Sequence, residues 1–173
     1  DNSRVILALS AIGRDAAQVG GCDLTAPYAD VAWVSNQGIN GPIFALLALD
    51  SRNYLPGSAV RRQCVDAILS AECSGGGWAC GGSAADPDMT AMALQALAAY
   101  RSEAAVAAAV TRGLDVLSAM QTGDGGFASS GVVNAESAAQ VIVACTALGI
   151  DPDTDSRFVK GGGSAVDALL TFY

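Results

Sequence analysis

The residues able to do chemistry gather at the starts of apolar runs. Asp86-Pro87-Asp88 opens one such run, and 48 residues later Asn134 and Glu136 repeat its spacing. An acid, a proline and a second acid at a helix start have a defined structural use. Asp86 caps the first free backbone N–H groups, Pro87 occupies the first helical position, and Asp88 sits in the first turn, where the helix dipole favours a negative charge. Asn40 lies 48 residues before Asp88. Asn40, Asp88 and Glu136 would therefore share one rim at the N-terminal ends of related helices, a place that suits a polar or anionic ligand group, with Asp86 a further ligand-binding candidate there. Trp78 and Phe127 each close a glycine-rich stretch. They are candidates for lining a ligand groove, or for locking a turn against the next helix.

Several chemistries are excluded. The chain has no histidine, which removes Ser-His-Asp and Cys-His nucleophiles and the common zinc sites. The net charge of −8 opposes nucleic acid, whose phosphates need a basic face. No apolar run is long enough to span a bilayer, so no membrane insertion is expected. Residues 74–83 are rich in glycine but lack the Gly-Lys-Ser/Thr of a phosphate loop. Asp151, Asp153 and Asp155 begin like a calcium loop, yet Ser156 and Gly162 stand where an EF-hand needs glycine and glutamate. Neither metal nor cofactor is expected. Five cysteines leave at least one unpaired within the chain. Cys73 and Cys80 flank the glycine turn, where a disulfide is conceivable, and Cys145 falls in an apolar run as a small buried hydrophobe. Arg61-Arg62 reads as a solvated helix face.

Residues that far apart need elements to bring them together, and the elements repeat. Arg4–Gly13, Gly41–Leu49, Met89–Leu97 and Ser137–Gly149 are apolar nearly all round, the signature of helices buried on most sides. Aligning Leu9, Leu49, Leu97 and Cys145 gives steps of 40, 48 and 48 residues. Between these inner helices lie amphipathic outer ones over Ser58–Glu72, Glu103–Gln121 and Ser164–Tyr173, with Leu24–Trp33 as a shorter fourth. The connections repeat too: Glu72-Cys73-Ser74-Gly75-Gly76-Gly77-Trp78 matches Gln121-Thr122-Gly123-Asp124-Gly125-Gly126-Phe127. Alternating inner and outer helices must stack on their neighbours to bury their apolar faces. The expectation is an all-α fold, an α/α toroid or an arc of one, spanning residues 1–173 as one domain. It would be part of a larger ring with an apolar edge at each end. A further polypeptide segment or self-association would then complete it.

These residues resemble a known family. Gln121–Phe127 resembles the glutamine–aromatic repeat of squalene-hopene cyclases and protein prenyltransferase β subunits. Asp86–Leu97 and Asn134–Pro152 are similar to the units that follow it, and Asn36–Ser51 is similar to a segment of bacterial secreted proteins with prenyltransferase-like repeats. The resemblance implies an α/α toroid at an extracellular or cell-surface location. Its superfamily includes terpene cyclases, prenyltransferases, thioester domains and cobalamin carriers, so fold does not decide function. Asp86–Ala91 resembles the Asp-x-Asp-Asp-Thr-Ala motif of class II terpene cyclases, which would make Asp88 the general acid that protonates an alkene. Met89 replaces the next acid of that motif, and neighbouring acids tune such a donor. The prenyltransferase zinc set lacks its histidine here. Gly21-Cys22-Asp23-Leu24 lacks the Cys-Gly-Glu-Gln of a thioester.

The function expected on these grounds is a non-catalytic binding or scaffold module of an exported bacterial protein. Its ligand would be a small hydrophobic or corrinoid-like molecule. The alternatives are a cyclase-like enzyme using Asp88, and a structural or adhesive repeat. Few aromatic residues are available to stabilise a carbocation, which counts against the enzyme.

Overall fold

The computed structural model describes residues 2–173. Helix makes up 55% of the chain and strand 6%, so the all-α expectation holds. Among the described residues no helix is long and apolar enough to cross a membrane. The chain divides into two compact units, the first ending at Ala71 and the second running Glu72–Tyr173.

The first unit is built on α3 (Asn40–Asp50), which packs against α1 (Asn2–Ala11), α2 (Val31–Ser35) and α4 (Val60–Ser70). Its apolar character all round is used. Pro42, Ile43, Ala45, Leu46, Ala48 and Leu49 are all buried, alongside Ile6, Val60, Cys64 and Ile68. The single helix expected over Leu24–Trp33 is instead a 3-10 turn, Ala26–Ala29, followed by α2. Asp30 separates them: its backbone is extended, and its carboxylate accepts the Ala32 N–H at 2.9 Å. Arg61 also departs from expectation. Its guanidinium is half-buried and donates to Asp50 at 2.7 Å, Leu49 O at 2.9 Å and Tyr54 O at 2.6 Å, so it clamps the end of α3 to the turn after it. Arg62 alone fits the solvated face, paired with Asp66 one turn on.

The second unit contains α5 (Pro87–Leu97), α6 (Ala104–Met120), α7 (Ala135–Ala147) and α8 (Ala165–Leu170). α5 packs on α6 and α7, and α7 packs on α8. α8 is shorter than the expected Ser164–Tyr173 because Thr171 ends it. Two small hairpins precede α7 and α8. They pair β1 (Ala128–Ser129) with β2 (Val132–Val133), and β3 (Val159–Lys160) with β4 (Gly163–Ser164).

All five cysteines are free thiols, so Cys73 and Cys80 are not bridged. Burial pushes the Cys145 thiol up to about 12, and burial together with the nearby Asp50 charge pushes Cys64 up to about 11. Both are packing residues with little thiolate at neutral pH.

The matched glycine turns are copies of one another. In the first, the Cys73 N–H donates to Gly77 O at 2.9 Å and the Gly76 N–H to Cys73 O at 2.8 Å. In the second, the Thr122 N–H donates to Gly126 O at 2.9 Å and the Gly125 N–H to Thr122 O at 3.0 Å. Gly76 and Gly125 share a φ of +89°, which side-chain-bearing residues avoid. A Cβ on Gly125 would also lie 2.2 Å from Ser164 O, whereas one on Gly123 would meet nothing within 4 Å. Gly125→Ala should therefore cost about 2 kcal/mol or more, and Gly123→Ala should stay within about 1 kcal/mol of the parent. Urea unfolding of the two variants checks this. Equal effects would contradict the turn geometry.

Candidate functional site

Around the starts of α5 and α7 the chain repeats one junction of turn, aromatic side chain and helix cap. The aromatic closes the glycine turn and is driven inward: Trp78 and Phe127 are both 0% exposed. Neither therefore lines an open groove, and both lock their turns. The backbone of each aromatic is then gripped by the cap of the next helix. Trp78 O accepts the Asp86 N–H at 2.9 Å, and Phe127 O accepts the Asn134 N–H at 3.2 Å. Thr90, inside α5, adds a second grip on Trp78. Its hydroxyl accepts the Trp78 N–H at 3.0 Å and donates to Trp78 O at 3.2 Å.

The cap residues at these helix starts have structural partners. Asp86 Oδ1 accepts the Met89 N–H at 2.8 Å and Oδ2 accepts the Cys80 N–H at 3.1 Å. Asn134 Oδ1 accepts the Ser137 N–H at 2.8 Å in the same way. A third copy stands at α8, where the Ser164 hydroxyl accepts the Asp167 N–H at 3.0 Å and Asp167 Oδ2 accepts the Ser164 N–H at 2.9 Å, a capping box. Asp88, Glu136 and Asp167 are the first-turn acids of the three helices.

Asp88 differs from Asp86 in one respect. It is half-buried, and its Oδ1 is buried without a hydrogen-bond partner among the described residues. Glu136 is exposed and lines a shallow cleft of about 370 Å³ with Ala135, Ala139, Leu169, Phe172 and Tyr173. Asn40 is the first residue of α3, in the other unit, and is half-buried; Ile39 rather than Asn40 is the cap there.

Gln121 carries a structural role that periodicity does not show. Its amide donates to Gly125 O at 3.0 Å, across its own turn, and to Phe158 O at 2.8 Å, on the segment leading to α8. Its counterpart in the earlier turn, Glu72, pairs instead with Arg112 through two 2.7 Å contacts. A signal was present in the sequence, since both are long polar residues one position before matched turns.

The acids of the calcium-like loop are also occupied. Asp151 accepts from the Asp153 N–H and the Thr154 hydroxyl, Asp153 from the Ser164 hydroxyl, and Asp155 from Arg157. The Arg157 guanidinium holds the Asp155 carboxyl down at about 2. Among the described residues no group of three or more acids and cysteines is placed to hold a metal ion.

If Asp86 works as a cap, Asp86→Ala should lower unfolding free energy by about 1–2 kcal/mol. Asp88→Asn keeps the size of the half-buried side chain and loses only its first-turn charge–dipole interaction, and should cost less than about 1 kcal/mol. Chemical denaturation at neutral pH distinguishes the two, and the opposite order would contradict the assignment.

Compared with known proteins, the chain matches no family model, no curated protein sequence and no solved structure.

Proposed function

We propose that the chain is a non-catalytic binding or scaffold module, an arc of α/α toroid belonging to an exported bacterial protein. The observation that carries this reading is the engagement of both Asp86 carboxylate oxygens by backbone N–H groups, in a cap repeated at Asn134 and Ser164. A pair of acids built for proton transfer would leave its carboxyl groups facing substrate. Here the first acid holds the start of a helix.

The repeat also supports the scaffold role. Gln95 of α5 donates to Gln140 of α7 at 3.0 Å, across the seam between the two helices. The position in α7 equivalent to Gln95, at the 48-residue offset, is Val143, and it is 51% exposed. The face by which α5 receives a neighbour is thus left open on α7, and Leu170 and Phe172 near the end of the chain are exposed as well. A further repeat or a second copy of the chain would continue the stack there. The resemblance to carrier proteins adds a small hydrophobic or corrinoid-like ligand, for which the Glu136 cleft with Phe172 and Tyr173 is the available surface.

A second reading has one observation in its favour. The Oδ1 of Asp88 is buried without a hydrogen-bond partner among the described residues, so this oxygen is not committed to a helix cap as those of Asp86 are.

Native mass spectrometry of the purified chain, paired with an isoprenoid turnover assay, separates the readings. The module reading expects a retained small molecule or a complex with another polypeptide, and no turnover. A bare monomer that cyclises a polyprenyl substrate, with activity lost in Asp88→Asn, would overturn it.

A further inference from the structure

The first unit holds a cavity that the paired glycine turns and their helix caps do not line. It has a volume of about 160 Å³, and its lining includes Asn2, Tyr28, Trp33, Asn36, Gln37 and Phe44. Trp33 is 41% exposed, and its ring meets Tyr28 edge to face at 5.1 Å and 78°. Tyr28 is 2% exposed and shares a 2.6 Å hydrogen bond with the Ser3 hydroxyl. The indole therefore rests on a fixed, buried support while one part of it stays open.

A single exposed tryptophan is ordinary. Its company is what points to a ligand. Among the described residues, the side-chain amides of Asn36 and Gln37 and the indole N–H of Trp33 make no hydrogen bond within the protein. Asn2 spends an amide N–H on Leu24 O at 3.2 Å and keeps its carbonyl oxygen. The lining contains no Asp, Glu, Lys or Arg.

These groups select by elimination. A cation would favour the indole face, but no carboxylate in the lining neutralises it. A cation is already placed on one lining ring, the Arg4 guanidinium, 5.7 Å from the Phe44 ring centre. A purely apolar ligand would bury the amides unpaired, which is costly. An anion finds no basic group in the lining. What remains is a neutral molecule with a flat C–H face for the electron-rich indole and adjacent hydroxyls for amides that both donate and accept. That is a pyranose ring. The volume fits one ring rather than a drug-sized ligand, for which about 300–1,000 Å³ is usual.

We propose that this cavity binds a single pyranose unit of a saccharide, its C–H face on Trp33 and its hydroxyls on the Asn36 and Gln37 amides. The proposal rests on the reading of the chain as a binding module, and it adds a ligand class at a place separate from the Glu136 cleft.

The test uses a built-in reporter. Trp78 is 0% exposed, so acrylamide quenching of the whole chain reports on Trp33. The probes are the methyl glycosides of glucose, mannose, galactose and N-acetylglucosamine, with sorbitol as the control for solvent effects. At least one glycoside should shield Trp33 saturably, with a midpoint in the low-millimolar range that a ligand of about a dozen heavy atoms reaches. The double variant Asn36→Ala/Gln37→Ala changes two exposed side chains, so it should melt like the parent and bind about tenfold more weakly. Trp33→Ala, followed by saturation transfer to the glycoside ring protons, should abolish binding. Shielding no greater than that of sorbitol up to about 50 mM for every glycoside, or shielding unchanged in the double variant, would overturn the site. If native mass spectrometry meanwhile shows another retained molecule, the module reading stands and only the saccharide site falls.

Discussion

The second unit depends on how an aromatic residue is held at the end of a glycine turn. Trp78 and Phe127 bury completely, and burial of side chains this large is a leading stabilising term. Burying the ring forces the chain to reverse sharply just before it, which the positive φ of Gly76 and Gly125 permits. It also buries polar backbone atoms of the aromatic, which must be paired. The carbonyls of Trp78 and Phe127 are paired with the cap residues Asp86 and Asn134. One constraint thus sets the turn, the aromatic position and the start of the following helix together.

That coupling changes the meaning of the acids. An isolated Asp-Pro-Asp is ambiguous between a cap and an acid catalyst. Placed at this junction, Asp86 satisfies orphan donors that the buried geometry creates, and the same task passes to an amide at Asn134 and a hydroxyl at Ser164. A role that tolerates carboxylate, amide and hydroxyl is hydrogen-bond acceptance, not proton transfer. Asp88 stands apart, with one oxygen buried and unpartnered. That oxygen is not taken up by a cap as those of Asp86 are.

Much of this was legible in the sequence, because it depends on local pattern. The apolar runs are helices, and α3, α5 and α7 lie within about two residues of the expected bounds. The caps at Asp86 and Asn134 follow from residue type and position. Long-range hydrogen bonds were not legible. The grip of Thr90 on Trp78, the reach of Gln121 to Phe158 O and the Arg61 clamp all end on backbone carbonyls, which every residue possesses. The break in Leu24–Trp33 was missed because Asp30 reads equally well as a polar helix residue and as a cap. The Trp33 cavity was beyond reach for another reason: its lining is drawn from residue 2 to residue 44 and converges only when α1, α2 and α3 pack.

The central claim is that the cap residues at the helix starts are structural acceptors. It is tested most directly by exchanging two of them, Asp86→Asn together with Asn134→Asp, and measuring stability by urea unfolding. Asn and Asp are near-equal caps, so the exchange should cost under about 1 kcal/mol, chiefly from the weakened contact to the Cys80 N–H. A loss of several kcal/mol, or the loss of a bound ligand with stability intact, would contradict the account and give Asp86 a chemical role.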